Sequence, residues 1–161
     1  MSKDAEFKMS PLDKGDEAEM RFLFDARTRP SVAKLLFGVP PSSMEFHRRW
    51  VEANVPARRL MYVARLGGRL AGYCHAYGFE GDEVEVGFVV HPDFQGRGCG
   101  GRMVEELVIE MGRLMPDKKV VLKVRSDNSV AIGTYERRGF EKTGEEGGVL
   151  LYELRKGMAE L

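Results

Sequence analysis

The sequence predicts an α+β fold in three layers, with helices flanking a mixed, mostly antiparallel sheet that holds one parallel strand pair. Three observations lead there. About residues 60–90 hold three extended segments joined by glycine-containing turns, which is a meander. A glycine-rich turn and an amphipathic helix follow the third segment, and an apolar run at Lys119 to Val124 follows the helix. Strand, helix and strand in that order make a crossover, so the third and fourth strands run parallel.

The first strand is expected at Ala5 to Met9. Asp13 or Asp16 can cap a helix running to about Ala26, with Ala18, Phe22 and Leu23 inward. Arg29-Pro30 breaks it, and Ser31 to Phe37 makes a short second helix that Gly38 and Pro40-Pro41 end. Ser42 or Ser43 caps a third helix from Met44 to about Val55, with Glu45 near N3 as in a capping box. Met44, His47 and Val51 form one stripe of it and Phe46, Trp50 and Ala53 another, with Trp50 a core anchor or the wall of a pocket. Leu60 to Leu66 and Arg69 to Phe79 pair across a Gly67-Gly68 turn, and Gly81-Asp82 turns into the third strand. There Val84, Val86, Phe88 and Val90 share one face; Glu83, Glu85, Gly87 and Val89 share the other. The helix that follows places Met103, Leu107, Met111 and Leu114 on one stripe.

With 161 residues the chain is expected to be one domain over 1–161. Hydrophobic residues make up 43% and charged residues 31%, the proportions of an ordinary globular domain. Lys+Arg and Asp+Glu balance at 25 each, which weighs against a nucleic-acid partner. The opening MSKDAEFKMS lacks the apolar core of a signal peptide, and no apolar run approaches the roughly 18 residues of a membrane span. A cytoplasmic protein, monomer or homodimer, with no membrane partner, is the expectation. Cys74 and Cys99 form no disulfide framework, and His47, His75 and His91 have no metal-ligand spacing, so no metal is expected.

Between the third strand and its helix stands His91-Pro92-Asp93-Phe94-Gln95-Gly96-Arg97-Gly98-Cys99-Gly100-Gly101. Glycines there free consecutive backbone N–H groups, and the helix N-terminus adds a partial positive charge, so the junction suits a diphosphate. Gly96-x-Gly98-x-x-Gly101 formally matches a dinucleotide fingerprint, the mark of a nucleotide-dependent oxidoreductase. In that fingerprint the glycines follow the strand directly, whereas five residues, His91 to Gln95, intervene here. A second nucleotide-binding half also does not fit the length. Gln95-x-x-Gly98-x-Gly100 after a Val-x-Pro strand end instead resembles the acetyl-CoA loop of the GNAT N-acetyltransferases. A second block strengthens this. At 100° per residue Asn128, Ala131, Tyr135 and Arg138 share a helix face. Ser126 or Asp127 is the natural N-cap of that helix and Gly139 its natural C′ residue. Asn128-x-x-Ala131-x-x-x-Tyr135-x-x-x-Gly139-Phe140 is similar to the second GNAT motif. Together the blocks cover about residues 60–155, behind N-terminal helices at about 13–55.

The resemblance implies a central parallel pair that splays, with the acetyl group in the gap. It implies that the loop from Gln95 and Gly96 through Arg97, Gly98, Cys99, Gly100 and Gly101 to Arg102 holds the CoA diphosphate, with no metal. Main-chain groups of Phe88, Val89 and Val90 would pair with the pantetheine arm, Asn128 and Ala131 would line it, and Tyr135 would stand near the sulfur. The implied reaction is acetyl transfer to a primary amine, on a small molecule such as an amino sugar or on a protein N-terminus. A non-catalytic acetyl-CoA sensor on the same fold is the alternative, disfavoured by the presence of Tyr135.

The chemistry needs a base for the ammonium, a donor for the thioester oxygen and an acid for the departing thiolate. Glu85 is the first candidate base and Glu83 the second, with His75 and Tyr77 behind them. The amide of Val89 or Val90 is the candidate donor, and Tyr135 the candidate acid. The stretch Asp25 to Val32, with Ser43, His47 and Trp50, is somewhat similar to GNAT branches that modify nucleotide-linked amino sugars or protein N-termini.

Overall fold

The computed structural model describes residues 5–37 and 40–155. Its seven-stranded sheet has the order β1-β2-β3-β4-β5-β7-β6. The strands are β1 (Phe7–Pro11), β2 (Arg59–Leu66), β3 (Arg69–Tyr77), β4 (Glu83–Val90), β5 (Lys119–Arg125), β6 (Phe140–Glu146) and β7 (Val149–Leu154). Strands β4 and β5 are the parallel pair; every other pairing is antiparallel. Gly67 and Gly68 take φ of 58° and 82°, the left-handed pair that a two-residue hairpin turn between right-twisted strands requires. Gly147 and Gly148 repeat the device between β6 and β7.

Helices cover both faces. On one, α4 (Cys99–Leu114) and α5 (Ser129–Glu136) pack over Tyr62, Cys74, Val84, Val86, Leu122 and Tyr152. On the other, α1 (Glu17–Thr28) and α3 (Met44–Ala53) pack over Met61, Val63, Tyr73 and Val89. Met103, Leu107 and Met111 of α4 are fully buried, but Leu114 is 42% exposed, against expectation. Met115, just beyond the helix, packs on the core in its place.

Strand β1, at Phe7–Pro11, lies two residues later than the expected Ala5 to Met9. Asp16, not Asp13, caps α1, accepting from the Ala18 and Glu19 N–H groups. That phase buries Glu19, Met20, Leu23 and Ala26, leaves Phe22 half-buried and turns Ala18 out to solvent. The inward Glu19 is paired with Arg65 of β2 at 3.0 Å and accepts from the Asp13 N–H. Removing Arg65 would leave Glu19 a buried carboxylate without its cation, which is destabilising. The second helix, α2, is only Pro30–Ala33, with Pro30 at its start. Gly38, expected to end it, lies outside the described residues. Ser43 caps α3 by accepting from the Phe46 N–H at 3.1 Å. Glu45 stands one position too early to complete a capping box and pairs with Arg49.

Candidate active site

The site is built where β4 and β5 part. Their pairing runs only from Glu83 opposite Lys119 to Glu85 opposite Val121. On its other side β4 stays paired with β3 as far as Val90. Beyond Glu85, therefore, one edge of β4 borders a gap.

Register decides which backbone groups face that gap. The His91 N–H donates to the Ala71 carbonyl at 2.8 Å, in line with the pairing of Val90 with Gly72. In an antiparallel ladder alternate residues exchange both bonds with their partner, so Val89, Gly87 and Glu85 direct their N–H and C=O toward β3. Val86, Phe88 and Val90 direct theirs the other way. The Lys119 N–H donating to the Asp82 carbonyl at 2.9 Å puts the even-numbered residues on the β5 side independently. The main chain of Val89 is thus taken by β3. Of the three residues expected to meet an extended ligand, Phe88 and Val90 offer backbone groups to it. Buried backbone polar groups require partners, and an extended molecule carrying amides supplies them as an added strand would.

At the end of the gap the chain makes a 3-10 turn, Pro92–Phe94, and then the glycine loop. Gly96 and Gly98 take φ of 78° and 81°. Gly98 is the N-cap of α4, no side chain caps that helix, and no acidic residue stands in its first turn. The first intrahelical bond is Arg102 N–H to Gly98 O, so the N–H groups of Cys99, Gly100 and Gly101 have no partner inside the helix. Among the described residues a Cβ on Gly96 or Gly98 would meet nothing within 4 Å, so the loop borders open space. Gln95 turns its Nε2 back toward the Val90 carbonyl at 3.4 Å. Arg97 lies over Phe94 and Arg102 over Phe7, so cations flank the helix start. Donors, dipole and flanking arginines together fit a diphosphate. Gly101 has a different duty. A Cβ there would clash with the Arg138 guanidinium, and the Arg138 Nε donates to the Gly101 carbonyl at 2.9 Å, tying α4 to the turn that follows α5.

Asn128 is itself the N-cap of α5, accepting from the Ala131 N–H at 3.4 Å; Ser126 and Asp127, the expected caps, precede it. The Ser126 N–H is bonded to the Gly148 carbonyl, which ties the residue after β5 to the last hairpin. Capping occupies the carbonyl oxygen of Asn128 and leaves its amide nitrogen with no hydrogen bond among the described residues. Tyr135 is 7% exposed, between Phe88 (ring centroids 5.8 Å apart) and Phe140 (6.0 Å). Burial pushes its phenol up from the ordinary tyrosine range, so the hydroxyl stays protonated and can donate a hydrogen bond. Cys99 packs with Leu66, Ala71 and Phe94. Burial pushes its thiol up, so it is a packing residue and no thiolate nucleophile.

Glu85 and Glu83 do share the sheet face away from α4. Glu85 accepts a hydrogen bond from the Tyr77 hydroxyl and faces Lys123 of β5 at 3.7 Å. It stands in the last paired row before the gap. Glu83 is exposed, two residues farther back. His75 is unsuited to be a base. Arg59 donates to its Nδ1 (2.9 Å), so in the neutral ring Nε2 carries the proton; burial, then the Arg59 charge, lower its pKa to about 3.

The acetyltransferase (GNAT) family profile matches residues 21–140, which takes in most of α1 as well as both motifs. The chain belongs to the GNAT family. N-alpha-acetyltransferase RimI of Mycobacterium tuberculosis is 37% identical to it over 87 residues, 50% of this chain and 51% of that protein. The chain spans about half the length of the curated relatives it matches. Among solved structures, the ribosomal L7/L12 alpha-N-protein acetyltransferase RimL in complex with CoA superposes at TM-score 0.79, with 20% identity and 95% of each chain covered. The spermidine N-acetyltransferase of Vibrio cholerae, in complex with CoA and spermine, superposes at 0.78 with 15% identity, covering 91% of this chain and 92% of that one. At these identities the superpositions establish the GNAT fold alone, and with it the mixed sheet and parallel pair expected from the sequence.

Proposed function

We propose that this GNAT chain is an acetyl-CoA-dependent N-acetyltransferase acting on a primary amine of a small molecule or of a protein N-terminus. The observation that carries the reading is the gap beside β4. It has backbone groups of Phe88 and Val90 on its edge, a bare helix N-terminus at its end and Tyr135 at its wall. Bound acetyl-CoA would supply an activated acyl group on a thiol leaving group. The amides of Cys99, Gly100 and Gly101 would hold its diphosphate, and Phe88, Val90 and the Asn128 amide its arm. The Phe88 or Val90 N–H, fixed by the register, is the donor for the developing oxyanion. Val89 is not, because its amide faces β3. Tyr135, kept protonated by burial, gives its proton to the departing sulfur. Glu85 takes the proton of the ammonium, directly or through water. The test is thiol release from acetyl-CoA across a panel of amines. Release dependent on an amine supports the reading; stabilisation by NADH, with none by CoA, overturns it.

Glu85→Gln is expected to lower kcat/KM near pH 7 and to recover toward high pH. An alkylamine with a pKa of about 10 is an ammonium at neutral pH and needs a base only while it is charged. A pH–rate profile of wild type, Glu85→Gln and Glu83→Gln checks this. A pH-independent loss would make Glu85 a binder of the acceptor's charge, and three superimposed profiles would remove both carboxylates from the mechanism.

A further inference from the structure

The chain has no net charge, yet the sheet face beneath α1 and α3 gathers cations. Arg27 comes from the last turn of α1, Arg59 from β2, and Lys123 and Arg125 from β5. The nearby carboxylates are already engaged. Glu85 is bonded to Tyr77 and faces Lys123, Glu19 is paired with Arg65, and Asp25 with Arg29 and His91. Arg27 and Arg59 have no carboxylate partner among the described residues; their hydrogen-bond partners are imidazoles. Arg27 Nη1 meets His47 Nδ1 at 3.0 Å, and Arg59 Nη1 meets His75 Nδ1 at 2.9 Å. A guanidinium only donates, so both imidazoles accept there and neither offsets the positive charge. Burial, with the arginine beside it, lowers the His47 pKa to about 4, which keeps that ring neutral as well.

Trp50 ties the two cations together. The guanidinium of Arg27 lies 3.8 Å from its ring centroid and that of Arg59 5.3 Å, with Arg59 also 4.5 Å from the Tyr77 ring. Two partly desolvated like charges around one indole repel each other, and an anion joining them relieves that repulsion. His75, the partner of Arg59, sits against β4: a Cβ on Gly87 would clash with the His75 ring at Nε2, one residue before Phe88.

We propose that Arg27 and Arg59 bind a negatively charged group of the acceptor, so that the acceptor is a small amine carrying a carboxylate or a phosphate. Its anionic end rests at Trp50 and its amine reaches the gap at Phe88 to Val90. This rests on the transferase reading and goes beyond it by naming the acceptor class. A polycation such as spermidine would set its ammonium groups against two guanidiniums, and is excluded as a good acceptor on this account.

The experiment is calorimetric titration of CoA-loaded protein with amines that differ only in the anion: glucosamine 6-phosphate against glucosamine, and alanine against alaninamide. Wild type is expected to bind the charged member of at least one pair about 10- to 100-fold more tightly, the range for charge-assisted pairing. Which pair responds separates phosphate from carboxylate. Arg27→Gln and Arg59→Gln are expected to remove most of that preference, and Arg59→Lys to restore part of it. CoA affinity, measured first on each variant, should be unchanged and reports that the fold is intact. Equal binding within both pairs, a preference that survives both glutamine variants, or tighter binding of spermidine would each overturn the proposal. Failure of CoA itself to bind would instead overturn the transferase reading.

Discussion

Gly98→Asp is expected to abolish CoA binding, with the domain still folded. Gly98 occupies the left-handed region at φ 81° as the N-cap of α4, and among the described residues a Cβ there would meet nothing within 4 Å. Aspartate introduces three obstacles at once. Its side chain fills the space a diphosphate needs, its carboxylate repels that diphosphate at contact range, and it satisfies the bare N–H groups itself as a helix cap would. The last effect stabilises the helix and offsets part of the cost of the positive φ, so stability should change by only about 1 kcal/mol. A loss of CoA affinity of about 100-fold or more is the expected result, measured by calorimetry beside a thermal melt. Unchanged affinity would reduce the loop to a turn.

The second large effect is expected from Tyr135→Phe. The substitution keeps the ring between Phe88 and Phe140 and deletes only the hydroxyl, which has no hydrogen bond among the described residues. Packing and stability should therefore hardly move. If the phenol protonates the departing thiolate, kcat falls by about 10²–10⁴-fold while acetyl-CoA affinity stays the same, because help given only in the transition state appears in kcat. The raised pKa of the buried phenol adds a second expectation: the acidic group should remain protonated past the ordinary tyrosine value near pH 10, so its loss does not set the alkaline limb below that pH. An unchanged kcat would leave Tyr135 as a packing residue and water as the acid.

The strands, the crossover and both motif blocks were legible because they rest on local signals: alternation, paired glycines, and polar residues spaced on one helix face. What failed rests on partners distant in sequence. Val89 and Val90 look alike as oxyanion donors until the register with β3 assigns one amide to Ala71's side of β4 and the other to the gap. Ser126, Asp127 and Asn128 are equally good caps by type; in the fold Ser126 bonds to Gly148 of the last hairpin, the chain turns through Ser126 and Asp127, and Asn128 is the residue that caps α5. Ala18 looked inward because an apolar count cannot see that Glu19 is buried against Arg65. The same limit hid the cationic face. Overall neutrality weighs mildly against a polyanionic acceptor and says little else, since Arg27, His47, Trp50, Arg59 and His75 come from α1, α3, β2 and β3 and meet only in the fold. The β6–β7 hairpin did have a local signal, Gly147-Gly148 before the alternating Leu150, Tyr152 and Leu154.

Backbone amide shifts recorded during a titration of the labelled protein with CoA test the central claim most directly. The account predicts the largest changes at Gly98, Cys99, Gly100, Gly101, Phe88 and Val90, with the Val89 amide, bonded across to β3, changing less than its two neighbours. Saturable shifts that bypass both the α4 N-terminus and the even-numbered residues of β4, or no shifts at all, would contradict it.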